Sequence, residues 1–222
     1  MLTVIRVFYA IALVLYLAAA IGYLRAFNQK TSQPLMRRMV SAGYAVLFQL
    51  LGLVTYTMYL RQVPFLGMFQ GFTFAAFVLA FLFLLISRNV ENDLAVGVIV
   101  FPLVCIFSLI GVFTPLERVS DPLLAPSAWF VLHASIALFS YGAFAIAFAT
   151  SVLYLQLHGE IKSKRLGTFF ARLPSLGELD HLTYLAVSIG FVALTAAIAT
   201  GMAWTQILSL IHISEPTRPL YI

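Results

Sequence analysis

Charge is what this sequence has least of. Only 9% of its 222 residues are Asp, Glu, Lys or Arg, against 62% apolar ones; a soluble domain carries about 25% charged residues. A chain this poor in charge cannot cover itself with solvated groups, so lipid must be most of its solvent. Cysteine is scarcer still: a single Cys105 rules out an intramolecular disulfide and any CxxC metal or redox site. No carboxylate lies in the middle of a long apolar run, whereas ion-coupled carriers commonly hold an ionisable group at membrane depth. That weakens a small-solute transporter or pump reading. There is no glycine-rich phosphate loop, no HExxH and no nucleophile elbow, and no Ser, His and Asp spacing suggests a triad, so no catalytic residue is assigned. The net charge of +5 would suit an anionic partner. However, no basic patch interleaves with aromatics in a soluble segment, which argues against nucleic acid.

What fills the chain instead is apolar sequence. Six stretches reach or approach the roughly 20 residues that a helix needs to cross a bilayer: 3–24, 39–60, 69–86, 94–113, 129–155 and 183–205. The expected fold is all-α, a polytopic membrane helix bundle with six transmembrane helices, surrounded by lipid. The third stretch is the shortest and carries Gln70 near its start. The first has small residues at 18–20, as a signal-peptide cleavage site would. It is too long for that, and Arg6 is its only basic flank, so a retained helix is expected.

Loop charge sets the expected orientation. Arg25, Lys30, Arg37, Arg38, Arg88, Lys162, Lys164, Arg165 and Arg172 follow odd-numbered helices, and only Arg6, Arg61 and Arg118 lie on the other side, with Arg218 left in the C-terminal tail. The positive-inside rule places loops 25–38, 88–93 and 156–182 in the cytoplasm and the N-terminus outside, in the cytoplasmic (inner) cell membrane.

Within the spans, Gln49 is the amide at the centre of helix 2 and is expected to hydrogen-bond a neighbouring helix. Pro102 is expected to kink helix 4. Ser175 and Glu178 have capping-box spacing and predict a helix start before the last span. Gly190, Ala193, Ala197 and Gly201 in helix 6, and Tyr141, Ala145 and Ala149 in helix 5, are spaced for close helix packing in lipid.

Four histidines remain as candidates for chemistry. His158 and His181 flank a charged loop and are expected to be solvated. His212 lies near the C-terminus. His133 sits about one turn inside the outer end of helix 5, with Trp129 four residues earlier on the same face. It has two readings: an interfacial histidine beside a belt tryptophan, or an axial ligand to haem iron, which neutral imidazole serves well. The residues alone leave both open.

The segments WFVLHASIALFSYGAFAIAFATSVLYLQLHGEIKSK, at 129–164, and RLPSLGELDHLTYLAVSIGFVALTAAIATGMAW, at 172–204, resemble the haem-handling cytochrome c assembly family, in its HemX-like and CcsA-like branch. The shared signature is an outer-end histidine opening an Ala- and Ser-rich helix, a basic loop, LPSLxxLD, and a helix with GF…L…TG…W. Before residue 129 only helix pattern and loop charge agree. The resemblance implies haem b bound at the outer face, with His133 as an axial iron ligand and Trp129 beside it. It also implies apocytochrome c and a membrane cytochrome c synthesis partner, to which the vinyl edge of the haem is presented. The thiols would be the apocytochrome's own, since Cys105 lies inside a helix.

Family members carry a tryptophan-rich platform, WGxxWxWDPKE, between two outer histidines. It is expected a few residues after Trp204, and neither it nor the second histidine stands there. Some branches pass haem through histidines buried in the membrane; helices 1 to 4 have none, so that route is not expected here. The resemblance also implies an alternative without chemistry, a HemX-like regulator of the level of glutamyl-tRNA reductase, in which loop 156–182 would matter more than His133.

The C-terminal residues 207–222 read differently from the rest. LSLIHISEPTR fits an in-frame translation of a transposase-type sequencing adapter. The expected division is a membrane domain over 1–206, incomplete without the tryptophan-rich segment, followed by a foreign tail over 207–222. On that reading the whole protein has about eight helices, and His212 is set aside. A short native terminus and a proline-bearing docking segment are the alternatives.

Overall fold

A computed structural model describes residues 2–29, 35–61, 67–87, 93–115, 128–164, 167, 170 and 172–213; at 29, 35–39, 128 and 207–213 it describes the backbone alone. Lys30, Arg88, Arg118, Arg165 and the tail from 214 onward fall outside the described residues. The described chain is all helix: α1 (Leu2–Gln29), α2 (Leu35–Leu60), α3 (Met68–Ser87), α4 (Leu94–Phe113), α5 (Ala128–Lys162) and α6 (Leu176–Ile213). All six contain a segment long and apolar enough to cross a membrane. The protein is a multi-pass membrane helix bundle.

Four of the six helices run well past the apolar windows that announce them. The backbone stays helical into the interface because carbonyls left unpaired in lipid are costly. Helix α5 continues through QLHGEIK and stops where Lys164 turns to φ 55°, donating its N–H to the Ile161 carbonyl at 3.1 Å. The α5–α6 connection is held by Glu160, whose Oε2 accepts from the N–H groups of Gly167 (3.1 Å) and Phe170 (2.9 Å). Ser175 Oγ then accepts from Glu178 N–H at 3.2 Å, so the cap read from sequence opens α6. Ser175→Ala is expected to cost about 1 kcal/mol of local stability, read as faster hydrogen exchange at Glu178. Helix α4 passes through Pro102 without a break.

Helices consecutive in the chain run antiparallel, whereas α3 and α5, which also touch, run parallel. The starts of α1, α3 and α5 therefore share one end of the bundle with the ends of α2, α4 and α6. The core joins α1, α3, α4 and α5 through Tyr16, Tyr23, Leu79, Phe83, Phe101 and Ile146. Because α1 supplies two of these buried tyrosines, the bundle uses it as a structural member. Tyr23 stacks on Phe101 at 5.0 Å, and Phe83 meets both edge-on.

The amide of Gln49 ties three helices together. Its Oε1 accepts from Tyr16 OH (2.5 Å) and its Nε2 donates to the Thr73 carbonyl (2.6 Å), as expected of a buried amide in lipid. Gln70 is buried too and donates to Tyr56 OH. Helix α6 packs chiefly on α5 and exposes Tyr184, Phe191, Val192, Ile198 and Met202, an apolar face suited to lipid.

Candidate functional site

Besides apolar packing, the α5–α6 pair is fastened by hydrogen bonds from side chains. Thr183 donates to Thr150 Oγ1 (2.8 Å), Ser140 Oγ donates to the Gly190 carbonyl (2.8 Å), and His133 Nδ1 lies 2.7 Å from the Ala197 carbonyl. His133 and Ser140 are seven residues apart, about two turns, and so share a stripe. The small residues of α6 let that stripe reach its backbone. Gly190 receives Phe144, and Gly201 receives the His133 ring. On α5 the sequence stripe needs correction: Ala149 is buried, but Tyr141 is 58% exposed. Ser140 and Phe144, not Tyr141, meet α6. A period of four drifts around a 3.6-residue helix, so a row that starts on the interface leaves it within two turns.

The bond to Ala197 decides the chemistry of His133. A carbonyl oxygen can only accept, so Nδ1 must carry the proton. A neutral ring protonated there keeps its lone pair on Nε2, the arrangement of a metal-ligating imidazole whose other nitrogen is held by the protein. The ring is half-buried and lines a groove of about 520 Å³ between α3, α4 and α5, within the roughly 300–1,000 Å³ typical of small-molecule sites. The walls are Met68, Gly71, Phe72 and Ala75 of α3, Phe107 of α4, and Phe130, Ala134, Ala137, Leu138 and Tyr141 of α5. The small residues on the two facing helices make the width; a Cβ added at Gly71 would touch nothing within 4 Å.

One imidazole on an apolar wall suits a particular kind of ligand. Among the described residues no group of three or more His, Cys, Asp or Glu could hold a metal ion, so a bare cation finds no cage. Haem supplies its own equatorial ligands and asks the protein for axial donors and apolar contact. The residues present fit that demand on one side.

Trp129, paired with His133 in the sequence reading, is 43% exposed; its neighbour Phe130, with Phe72, Phe107 and Tyr141, lines the groove. Phe130 also packs against Trp204 of α6, ring centres 5.0 Å apart. His158 and His181 are exposed as expected, but they stand on α5 and α6 rather than in a loop, and His158 stacks on Tyr154. The side chain of His212 is outside the description. Sequence reasoning missed Phe130, the Ala197 carbonyl and the groove wall from α3; the GF…L…TG…W pattern held the only hint, in Gly201.

It also missed Asp93, at the opposite end of the bundle. Asp93 directly precedes α4, is buried, and accepts from Tyr23 OH at 2.8 Å. Nearby, Arg172 donates to the Asn28 carbonyl and lies over the Phe27 ring, which ties the α5–α6 connection to the end of α1.

The family model for cytochrome c assembly proteins matches residues 40–208. The chain is 30% identical to protein HemX of Bacillus subtilis (strain 168) over 150 residues, covering 66% of this chain and 53% of that protein. It is 28% identical to protein HemX of Brevibacillus brevis over 207 residues, covering 90% of this chain and 74% of that one. The cytochrome c biogenesis protein CcsA of Cucumis sativus is 24% identical over 194 residues, 69% of this chain and 59% of its own. No solved structure matches. With a family match over most of its length and a bundle of six membrane-spanning helices, the chain belongs to the cytochrome c assembly protein family.

Proposed function

We propose that the protein binds haem b at the outer face of the cytoplasmic membrane in support of cytochrome c maturation, with His133 as an axial iron ligand. The observation that carries this reading is the His133 ring itself: its Nδ1–H is committed to the Ala197 carbonyl, and it lines an apolar groove at one end of the bundle. Loop charge supports that end as the outer one, since nine basic residues follow odd-numbered helices in the sequence against three that do not, Arg218 of the tail set aside. Phe72, Phe107 and Phe130 offer apolar contact to a macrocycle, while Trp129 and Trp204 stand at the same end near the headgroup zone. Bound haem would supply the vinyl groups that form thioethers with apocytochrome cysteines. The chain's own part is to hold, orient and present, because Cys105 is buried in α4. The apocytochrome and a membrane synthesis partner are the proposed recipients.

A second reading, implied by the resemblance to HemX-like proteins, is a regulator of glutamyl-tRNA reductase level acting through segment 156–182. Glu160 and Arg172 order the described part of that connection and dock it against α1. We propose further that residues 207–222 are foreign to the membrane domain 1–206, a division that sequencing the locus across the junction would decide.

Purified protein is expected to show a Soret band after loading with haem, and His133→Ala to lose most of it. Equal haem content in the variant would remove His133 from the ligand set. A protein that takes up no haem at all would favour the regulatory reading.

A further inference from the structure

We infer that Gly201 and the Ala197 carbonyl of α6 are the positioning elements that fix His133 as its Nδ1–H tautomer and thereby reserve Nε2 for iron; this rests on the haem reading above. Three observations carry it. The Nδ1···Ala197 O distance is 2.7 Å, a full hydrogen bond to an acceptor that cannot donate in return. A Cβ built on Gly201 would lie 2.8 Å from His133 Nδ1 and 2.9 Å from Cε1, closer than carbon can approach either atom. The ring therefore reaches the α6 backbone only because position 201 has no side chain. The same carbonyl also accepts from Thr200 Oγ1 at 2.9 Å, which anchors it within its own helix and makes it a fixed target.

The tautomer matters because an imidazole free in water exchanges its proton between both nitrogens, and a proton on Nε2 removes the lone pair that a metal needs. A carbonyl on the far nitrogen also raises the basicity of the ligating one, and losing such a partner typically costs about 10–100-fold in metal affinity. Gly201 has a second role to set against this one, since small residues let membrane helices pack closely. Packing alone would not make the protonation pattern of His133 depend on position 201.

The test separates the two. Protein labelled with nitrogen-15 at histidine is reconstituted in lipid nanodiscs without haem, and His133 is assigned by its disappearance in His133→Ala. Wild-type protein is expected to show His133 as Nδ1–H. Gly201→Ala is expected to lose that pattern and to bind added ferric haem at least about tenfold more weakly. Gly177→Ala, on the same helix where an added Cβ meets nothing within 4 Å, is expected to match wild type in both. A wild-type His133 protonated on Nε2, or a Gly201→Ala spectrum identical to wild type, would overturn the inference without need of any haem measurement. If the tautomer responds as stated but no form of the protein binds haem, the positioning stands and the haem reading beneath it fails.

Discussion

Gln49→Leu is expected to lower the unfolding free energy by about 1–3 kcal/mol, the cost of stranding a buried polar partner. Leucine nearly matches glutamine in volume, so cavity formation contributes little. What is lost is the acceptor for Tyr16 OH, a group fully buried at membrane depth. The Thr73 carbonyl suffers less, because it lies within α3 and keeps the helix's own amide. The double variant Gln49→Leu with Tyr16→Phe is therefore expected to recover most of the loss, since neither partner then demands the other. Thermal or denaturant midpoints of the wild type, Gln49→Leu, Tyr16→Phe and the double variant in detergent would measure it. A double variant no more stable than Gln49→Leu would show that the amide acts through something other than this bond.

Gly97→Ala is expected to destabilise by about 1–3 kcal/mol, as overpacking of a filled core does, although alanine in an unconstrained helix gains about 1 kcal/mol over glycine. The reversal of sign comes from Tyr23. A Cβ at position 97 would lie 2.4 Å from its Cδ1 and 2.5 Å from its Cε1. The ring has nowhere to retreat, being stacked on Phe101, edge-on to Phe83, and bound through its hydroxyl to Asp93 at 2.8 Å. Displacing it would also take a hydrogen-bond donor from a buried carboxylate. Gly43→Ala, where the added carbon meets nothing within 4 Å, is the matched control and should be neutral or stabilising. An increase in the midpoint for Gly97→Ala would contradict the packing described here.

The bundle was legible because lipid imposes a coarse rule on every span, namely length and apolarity, and the six stretches obey it. Their ends were less legible, since helices continue into the interface where composition already looks like a loop, as 156–162 and 176–182 do. Gln49 was readable as an interhelical bond because a central amide in lipid has few alternatives. Asp93 was not, because its place at the end of a loop looks the same in sequence whether the side chain meets water or Tyr23.

The site followed the same division. A histidine near a span end and a resemblance over 129–204 were enough to single out His133. They could not say which nitrogen carries its proton, which aromatic stands beside it, or which helices wall its groove.

The sequence alone thus determined the solvent of this protein, the six spans among its described residues and its family signature, because each is written in local composition and spacing. Only the tertiary structure decided that Gly201 of one helix makes room for the ring of another, that Phe130 rather than Trp129 lines the groove, and that α3 supplies its far wall. These depend on the rotation and register of helices far apart in the chain. In lipid that register is set by close packing and interhelical hydrogen bonds, which no single helix carries by itself.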